Sequence, residues 1–184
     1  MEESIDLLKH VVKQEKIDRL YLRMAFIWSE NSYAVRRKVG CLIVKDNSII
    51  SDGYNGTPSG FPNVCESVVC TSKWQHGCII DAMPIDEVLS HPKCIERCKD
   101  CKHAELTTYN YVLHAEANAI TKLSKSNNSS EGATIYVTDE PCIECSKLII
   151  QAGIKRVVYA REYRIHDGIK LLQQAGIEIK QLNI

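Results

Sequence analysis

Apolar residues recur at three- and four-residue spacing across positions 16–31, a pattern carried by Ile17, Leu20, Tyr21, Met24 and Ile27. Such spacing places them on one side of an α-helix, so the segment is predicted to be an amphipathic helix. Two strand-like apolar runs then surround KDNS, a turn-forming sequence, and together they predict a β-hairpin. The sequence GYNGTPSGFPN, at positions 53–63, is rich in Gly, Pro and Asn and predicts a loop.

The second half of the chain alternates between helical and strand patterns. Helices are predicted at about 114–125, 142–152 and 167–175, and the last two end at Gly153 and Gly176, residues typical of helix ends. Strands are predicted at ATIYVT, IKRVVYA and IEIKQL. Alternating strands and helices favour parallel pairing, whereas a hairpin pairs antiparallel, so we predict an α/β fold with a mixed sheet and helices on both faces.

The stretch 64–109 shows no clear period and is too long for an ordinary loop. It holds six of the nine cysteines of the chain. An odd cysteine number and an N-terminus, MEESIDLLKH, without an apolar signal segment argue against a disulfide framework and for metal binding in an intracellular, cytoplasmic protein. Cys41, inside the strand-like run VGCLIVK, is instead predicted to be a buried thiol.

Charge and hydropathy argue against some partners. The 23 basic and 23 acidic residues give a formal net charge of zero, without the basic excess that is usual for proteins that bind duplex nucleic acid. Apolar runs stay well short of the roughly 18 residues of a membrane span. We therefore expect neither a membrane nor a nucleic-acid partner.

A catalytic metal site is predicted from two motifs. VLHAEANAI contains His114 and Glu116, and PCIECSK contains Cys142 and Cys145. If a helix begins at Cys142, both sulfurs lie on one face of its first turn, where the helix N-terminus favours thiolates. One imidazole and two thiolates leave the fourth position of a zinc ion open for water, as in catalytic sites. A nearby carboxylate, Glu116, can then move the proton of that water.

Two other interpretations of these motifs stay open. Taken alone, C-x-x-C is often a redox pair or half of a structural zinc site, and H-x-E alone carries almost no information. Together, H-x-E and P-C-x-x-C form the signature of zinc nucleobase deaminases. Because residues two apart diverge by about 200° on an ideal helix, His114 must lie at the very start of its helix for both side chains to reach one small volume.

The sequence resembles the deoxycytidylate (dCMP) deaminase family. The similar stretches are RKVGCLIV, DGYNGTPSGF, YVLHAEANAI, EGATIYVT, PCIECSKLIIQAGIKRVVYAREY and AGIEI. They cover most of residues 36–64 and 111–180. The resemblance implies the cytidine-deaminase-like fold, a three-layer α/β/α sandwich with a mixed five-stranded sheet, in a single deaminase domain over residues 1–184.

The resemblance also implies an activity and residue roles. The activity is hydrolytic deamination of dCMP to dUMP with release of ammonia, and some relatives also accept dCTP. His114, Cys142 and Cys145 would bind the catalytic zinc, and Glu116 would shuttle protons. Asn55 would hydrogen-bond the deoxyribose, although it could instead be a left-handed turn residue beside Gly56. Tyr163 would lie near the sugar and phosphate, or could be a packing aromatic.

Regulation and assembly are implied in the same way. The loop of Gly56, Thr57 and Gly60 lies where family members bind a regulatory nucleotide with magnesium, dCTP as activator or dTTP as inhibitor. The family usually forms homo-hexamers. One departure from the family pattern is the pair Asp139 and Glu140, because extra carboxylates near an anionic nucleotide are unfavourable unless they bind metal or point away.

A second, structural zinc is predicted in the cysteine-rich insertion at 64–109, where some relatives hold one. Its binding energy could order a segment without a core of its own. Two zinc ions or a set of unliganded thiols are the alternatives. The predicted ligands are Cys65, Cys70, Cys98 and Cys101, with His103 able to replace one of them.

Two further functions compete with nucleotide deamination. A tRNA adenosine deaminase shares the same metal motifs, but it needs a basic RNA-binding surface, and the net charge of zero argues against one. A non-catalytic zinc-binding module would suit the insertion alone. It would have no need for an acid–base carboxylate at position 116.

Overall fold

Contacts divide the chain into two units. The main unit comprises residues 1–32, 39–55 and 114–184, and the smaller unit comprises residues 33–38 and 56–113. The structure, a computed structural model, describes residues 2–70, 83–84 and 104–184. The elements in chain order are α1 (Glu2–Ser29), β1 (Gly40–Lys45), β2 (Ser48–Tyr54), β3 (Glu66–Cys70), β4 (Met83–Pro84), β5 (Ala104–Thr108), α2 (Ala115–Leu123), β6 (Thr134–Asp139), α3 (Ile143–Gln151), β7 (Arg156–Arg161), α4 (Asp167–Gln174) and β8 (Glu178–Gln181).

The main unit is built on a five-stranded mixed sheet in the order β2–β1–β6–β7–β8. Strand β1 pairs antiparallel with both β2 and β6, whereas β6, β7 and β8 run parallel. The β1–β2 turn places Asp46 and Asn47 at φ angles of 49° and 59°. Asp and Asn tolerate this left-handed conformation, which a two-residue hairpin turn requires. The hairpin prediction is therefore confirmed.

Alternate residues of the strands pack into two separate hydrophobic cores, one on each face of the sheet. One face of the sheet packs Ile43, Ile135 and Val157 against α2, α3 and α4, and the opposite face packs Leu42, Tyr136 and Val158 against α1. Side chains of a strand point alternately to its two faces, which explains the division. The three-layer α/β/α prediction is confirmed. Cys41 belongs to the first core and is fully buried, as predicted.

Helix α1 differs from its prediction. It begins at Glu2 and ends at Ser29, whereas the apolar spacing predicted residues 16–31. The described side chains before residue 15 are exposed, so burial of an apolar face does not hold this part of the helix. Good helix formers such as Leu, Lys, Gln and Glu sustain it instead. No helix among the described residues combines the length and the apolarity that a membrane crossing needs.

The smaller unit contains regular structure that the sequence pattern did not reveal. Strands β4, β3 and β5 form an antiparallel sheet in that order, with Ser67 opposite Thr107. Strand β4 is only two residues long, and β3 and β5 are far apart in the sequence. Such short strands carry too few residues to show an alternating pattern. The side chain of Glu66 is buried and accepts backbone hydrogen bonds from Val35 and Arg36 at 3.1 and 3.4 Å.

Candidate active site

The first turns of α2 and α3 meet at the candidate metal site. His114 is the N-cap of α2, with φ −71° and ψ 156°, and Cys142 is the N-cap of α3, with φ −71° and ψ 170°. Both residues are extended, while their carbonyls accept the first helical hydrogen bonds from Asn118 and Ser146. His114 thus occupies the helix-start position that its spacing to Glu116 requires, and Cys145 is the third residue of α3.

Three potential ligand atoms converge at this point. The Nδ1 atom of His114 lies 3.5 Å from the Sγ atom of Cys142 and 3.4 Å from the Sγ atom of Cys145. Tetrahedral zinc with ordinary bond lengths separates a nitrogen from a sulfur ligand by about 3.6 Å. The donor set and its spacing therefore fit a zinc ion. Among the described residues, these three form the one His, Cys and carboxylate cluster compact enough to hold a metal.

The two thiols are electrostatically coupled. A hydrogen bond from the Cys145 thiol, reinforced by the His114 imidazole, lowers the pKa of Cys142 to about 3. The same contact with Cys142, together with burial, raises the pKa of Cys145. Cys142 is therefore a thiolate at neutral pH, whereas deprotonation of Cys145 requires a nearby cation. Metal binding to cysteine supplies this compensation.

Glu116 is buried in the first turn of α2, beside the ligands. Burial raises the pKa of its carboxyl group to about 7, although a hydrogen bond from its own backbone N–H and the charge of His114 lower it. A hydrogen bond with the Cys145 thiol brings the carboxyl group to the edge of the metal site. A carboxyl group with a pKa near neutrality, next to a metal site, can both accept and donate a proton.

Close packing against β2 fixes the start of α2. A Cβ atom at Gly53 would collide with the Ala115 carbonyl and would lie 2.6 Å from the Ala119 nitrogen, so only glycine allows this approach. The Ser51 hydroxyl donates to the Ala119 carbonyl at 2.6 Å, and the Asn118 side-chain amide donates to the Tyr54 carbonyl at 3.0 Å. These contacts hold the N-terminus of α2, and therefore His114 and Glu116, against the sheet.

Asn55 follows β2 and is held by the chain before β1. Its side-chain oxygen accepts the Val39 N–H at 2.8 Å, and its own N–H donates to the Val39 carbonyl at 3.1 Å. The described residues with positive φ do not include Asn55, so the left-handed turn interpretation is wrong. The contacts orient its amide, and its role toward deoxyribose stays a prediction.

The carboxylates before Pro141 are paired within the protein. Asp139 accepts hydrogen bonds from Thr138 and Arg161. Glu140 is buried and accepts the N–H of Tyr163 at 3.1 Å, and it also hydrogen-bonds His166 at 2.9 Å. The departure from the family pattern is thus resolved by charge compensation. Tyr163 is 39% exposed, and its role toward the sugar and phosphate stays a prediction.

The predicted regulatory residues and one predicted structural-zinc ligand belong to the smaller unit. Gly56 exchanges two backbone hydrogen bonds with Leu113, and the Thr57 hydroxyl lies 3.5 Å from Asn63. Gly60 has a φ of 92°, a conformation that favours glycine. Cys65 is buried, and burial raises the pKa of its thiol. The side chains of the other predicted ligands, Cys70, Cys98, Cys101 and His103, lie outside the described residues.

Sequence reasoning missed His166 and Asp18. His166 is the N-cap of α4 and bonds Glu140. Asp18 is fully buried and forms a two-bond ion pair with Arg156, with N–O distances of 2.7 and 2.8 Å. No sequence signal pointed to Asp18, because the buried face that it shares with Leu22 and Ala25 is not the apolar side predicted for this helix, where Leu20, Met24 and Ile27 are exposed.

A family model described as the cytidine and deoxycytidylate deaminase zinc-binding region matches residues 15–161. The deoxycytidylate deaminase of Enterobacteria phage T4 is 35% identical over 174 residues, which are 86% of this chain and 86% of that protein. The human deoxycytidylate deaminase is 34% identical over 168 residues, covering 88% of this chain and 76% of that protein.

A solved structure is also similar. The dCMP deaminase of cyanophage S-TIM5, in complex with dCMP and dUMP, superposes with a TM-score of 0.67 at 37% identity. The superposition covers 91% of this chain and 97% of the phage protein.

Proposed function

The chain belongs to the cytidine and deoxycytidylate deaminase zinc-binding family, and from this we propose that it deaminates dCMP hydrolytically to dUMP and ammonia. Relatives at 34–37% identity over most of the chain bear the name of this activity. The observation that carries the proposal is the meeting of two helix N-termini, which gathers one imidazole, two thiols and a buried carboxyl group.

His114, Cys142 and Cys145 are the proposed zinc ligands. Zinc at this point supplies Lewis-acid activation of a water molecule near neutral pH. These residues supply three donors, one fewer than the four ligands of zinc, so an ion held here would keep a position for water, as catalytic zinc sites do. The buried position of Cys145 and the packing of both helices keep the three donors preorganised.

Glu116 is the proposed proton carrier. Its carboxylate accepts a proton from the attacking water and delivers it to N3 of the cytosine ring. A C4–O bond forms, and the same carboxyl group then carries the proton of the new C4 hydroxyl to the amine. The C4–N bond breaks, the C4 carbonyl forms, and the amine leaves as ammonia. Burial raises the pKa of Glu116 to about 7, so this one carboxyl group can both accept and donate a proton near neutral pH.

Asn55 and Tyr163 are the proposed contacts to the sugar and phosphate. The Val39 N–H binds the Asn55 side-chain oxygen at 2.8 Å, which fixes the orientation of this side chain at the end of β2. Tyr163 is exposed and follows the carboxyl end of β7. This end lies beside the carboxyl end of β6, and β6 is followed directly by the segment that contains Cys142 and Cys145. Ligands of open α/β sheets bind at the carboxyl ends of the strands.

A substrate comparison tests the proposed activity. The purified full chain, loaded with zinc, is incubated with dCMP, dCTP, cytidine and a tRNA anticodon stem, and ammonia and the deaminated product are measured. We expect turnover of dCMP, with dCTP as a further substrate. Deamination of the RNA alone would establish a tRNA adenosine deaminase instead. Zinc binding without any turnover would establish a non-catalytic zinc module.

Further proposals concern regulation and assembly. We propose that a nucleoside triphosphate, dCTP or dTTP, binds with magnesium at the loop of Gly56, Thr57 and Gly60 and changes the rate. We also propose a homo-hexamer. Rates measured with each triphosphate, with and without magnesium, and the mass of the assembly in solution test these two proposals.

A second zinc ion and the domain organisation complete the proposal. We propose one deaminase domain over residues 1–184, with the insertion at 64–109 organised by zinc. Support comes from the buried thiol of Cys65 and from the concentration of cysteines in this stretch. The cytoplasmic location expected from the sequence stays a prediction.

A further inference from the structure

Glu140 is a buried carboxylate that faces the loop at 162–166. Its side chain has no exposed surface. One oxygen accepts the backbone N–H of Tyr163 at 3.1 Å, and both oxygens lie 2.9 Å from the Nδ1 atom of His166. Carboxylate oxygens are acceptors, so the Nδ1 atom of His166 is the donor. The two donors come from opposite ends of the loop.

Packing of side chains does not hold this loop. Every residue from 162 to 167 is exposed. A loop without buried side chains depends on hydrogen bonds for a fixed conformation, and charge-assisted hydrogen bonds to a buried carboxylate are the strong kind. Glu140 is therefore the main described anchor of the loop.

The same short segment carries the metal site. Glu140 precedes Cys142 by two residues, and its own N–H donates to the Arg161 carbonyl at 2.8 Å, which joins the ends of β6 and β7. Helix α4 begins directly after the loop, and a Cβ atom at Gly168 would lie 2.9 Å from the carbonyl carbon of Cys142. The position of the loop is thus tied to the position of a metal ligand.

We propose that Glu140 is a positioning residue, which fixes the loop at 162–166 to the metal-ligand segment and so places Tyr163 for the sugar and phosphate of the nucleotide. The inference rests on the proposed function and deepens it. Two donors compensate the charge of Glu140, so the carboxylate can stand near an anionic substrate without repelling it.

The first test replaces Glu140 with glutamine. The Glu140→Gln variant keeps the shape but loses the charge that both donors need. We expect the KM for dCMP to rise roughly tenfold, the effect of losing a charge-assisted hydrogen bond that orders a binding group. The zinc content and kcat stay close to wild type. Glu162→Gln is the matched control, because Glu162 is exposed and, among the described residues, its side chain accepts one long hydrogen bond, from the Gln181 amide at 3.4 Å.

Two further variants separate positioning from general destabilisation. His166→Ala removes one donor without altering the buried carboxylate, and His166→Asn restores an N–H near the same place. We expect KM to rise in the first and to recover in the second. In a Tyr163→Ala background, Glu140→Gln should add little to KM, since the residue that it positions is gone.

Trypsin provides a readout that does not depend on turnover. Cleavage after Arg164, inside the loop, should be faster in Glu140→Gln than in wild type or in Glu162→Gln. If Glu140→Gln turns over dCMP with an unchanged KM, the inference about Glu140 is wrong and the proposed function stands. The same holds if this variant loses zinc and kcat together. A wild-type chain that leaves dCMP unchanged overturns the proposed function, and the trypsin result then decides whether Glu140 anchors the loop.

Discussion

Buried acidic side chains of the main unit differ in what surrounds them. Asp18 and Glu140 are surrounded by hydrogen-bond donors. Burial alone would raise the pKa of Asp18, but hydrogen bonds from Arg156 and Gln14 outweigh this effect and lower the pKa to about 2. Glu116 receives less compensation, and burial raises its pKa to about 7. These buried acidic side chains therefore differ in role: Asp18 and Glu140 bind neighbouring groups of the protein, and Glu116 is available for proton transfer.

Replacing Glu116 with glutamine tests its role as proton carrier. We expect Glu116→Gln to lower kcat by about 10²–10⁴-fold, the usual contribution of general acid–base catalysis. Zinc content, measured by elemental analysis, should remain nearly unchanged, because the three ligand atoms are untouched.

Glu144→Gln is the matched control for this variant. Glu144 lies in the first turn of α3, and its side chain is 73% exposed and pairs with Lys147. Its loss should leave kcat unchanged. If Glu116→Gln lost zinc in proportion to activity, Glu116 would have a structural role instead.

At the scale of the elements, the close approach of α2 to β2 sets the position of His114. Gly53 has no side chain, and the backbone of α2 occupies the space where a Cβ atom would stand. The relevant neighbours are backbone atoms, which cannot rotate away. The position of a metal ligand thus depends on a glycine in a neighbouring strand.

A Gly53→Ala variant is expected to displace the start of α2. Overpacking of this kind costs about 1–3 kcal/mol, and the shift moves His114 away from the two sulfurs. We expect weaker zinc binding in a competition titration with a chelator, together with lower kcat. Ser48→Ala, at an exposed position of the same strand, should match wild type. Wild-type zinc affinity in Gly53→Ala would contradict the argument.

At the scale of the whole molecule, Asp18 joins α1 to the central sheet. Besides its ion pair with Arg156 of β7, it accepts a hydrogen bond from Tyr136 of β6 at 2.9 Å and lies 3.5 Å from Lys180 of β8. One carboxylate therefore connects a helix and three strands.

This arrangement predicts an acid-dependent stability. The folded pKa of Asp18 is about 2, below its ordinary value of 3.8. Its contribution to the free energy of unfolding, about 2 kcal/mol by linkage, is complete above pH 3.8 and is lost as the pH falls through 2. Chemical denaturation measured from pH 5 to pH 2 should show this loss.

Asp18→Asn should be less stable than wild type at pH 7 and should lack this part of the pH dependence. Glu15→Gln is the control, since the Glu15–Arg19 pair on the same helix is partly exposed. An unchanged acid profile in Asp18→Asn would assign the pH dependence to other groups.

Zinc stoichiometry tests the insertion. We expect elemental analysis to find two zinc ions per chain in wild type and one in a Cys145→Ser variant. The remaining zinc would belong to the insertion at 64–109, and chelation of both should lower the thermal stability, because a structural zinc supplies folding energy. One zinc per chain in wild type would remove the second site.

Most elements could be predicted from the sequence because their patterns are local. Apolar periods, the Asp46–Asn47 turn and the glycines at 153 and 176 each act within a few residues, and both glycines adopt positive φ after their helices. The start of α1 and the sheet of the smaller unit were not predicted, because the start of α1 depends on helix propensity and strands of a few residues leave little periodic signal.

The sequence by itself determined which donors are present and that each metal motif opens a helix, because H-x-E, P-C-x-x-C and their helix signals are local. Only the tertiary structure decided that α2 and α3 bring these donors within 3.5 Å, that Gly53 permits the approach, and that Asp18 and Glu140 find partners. These are contacts between residues far apart in the chain, and the packing of the helices against the sheet sets their distances.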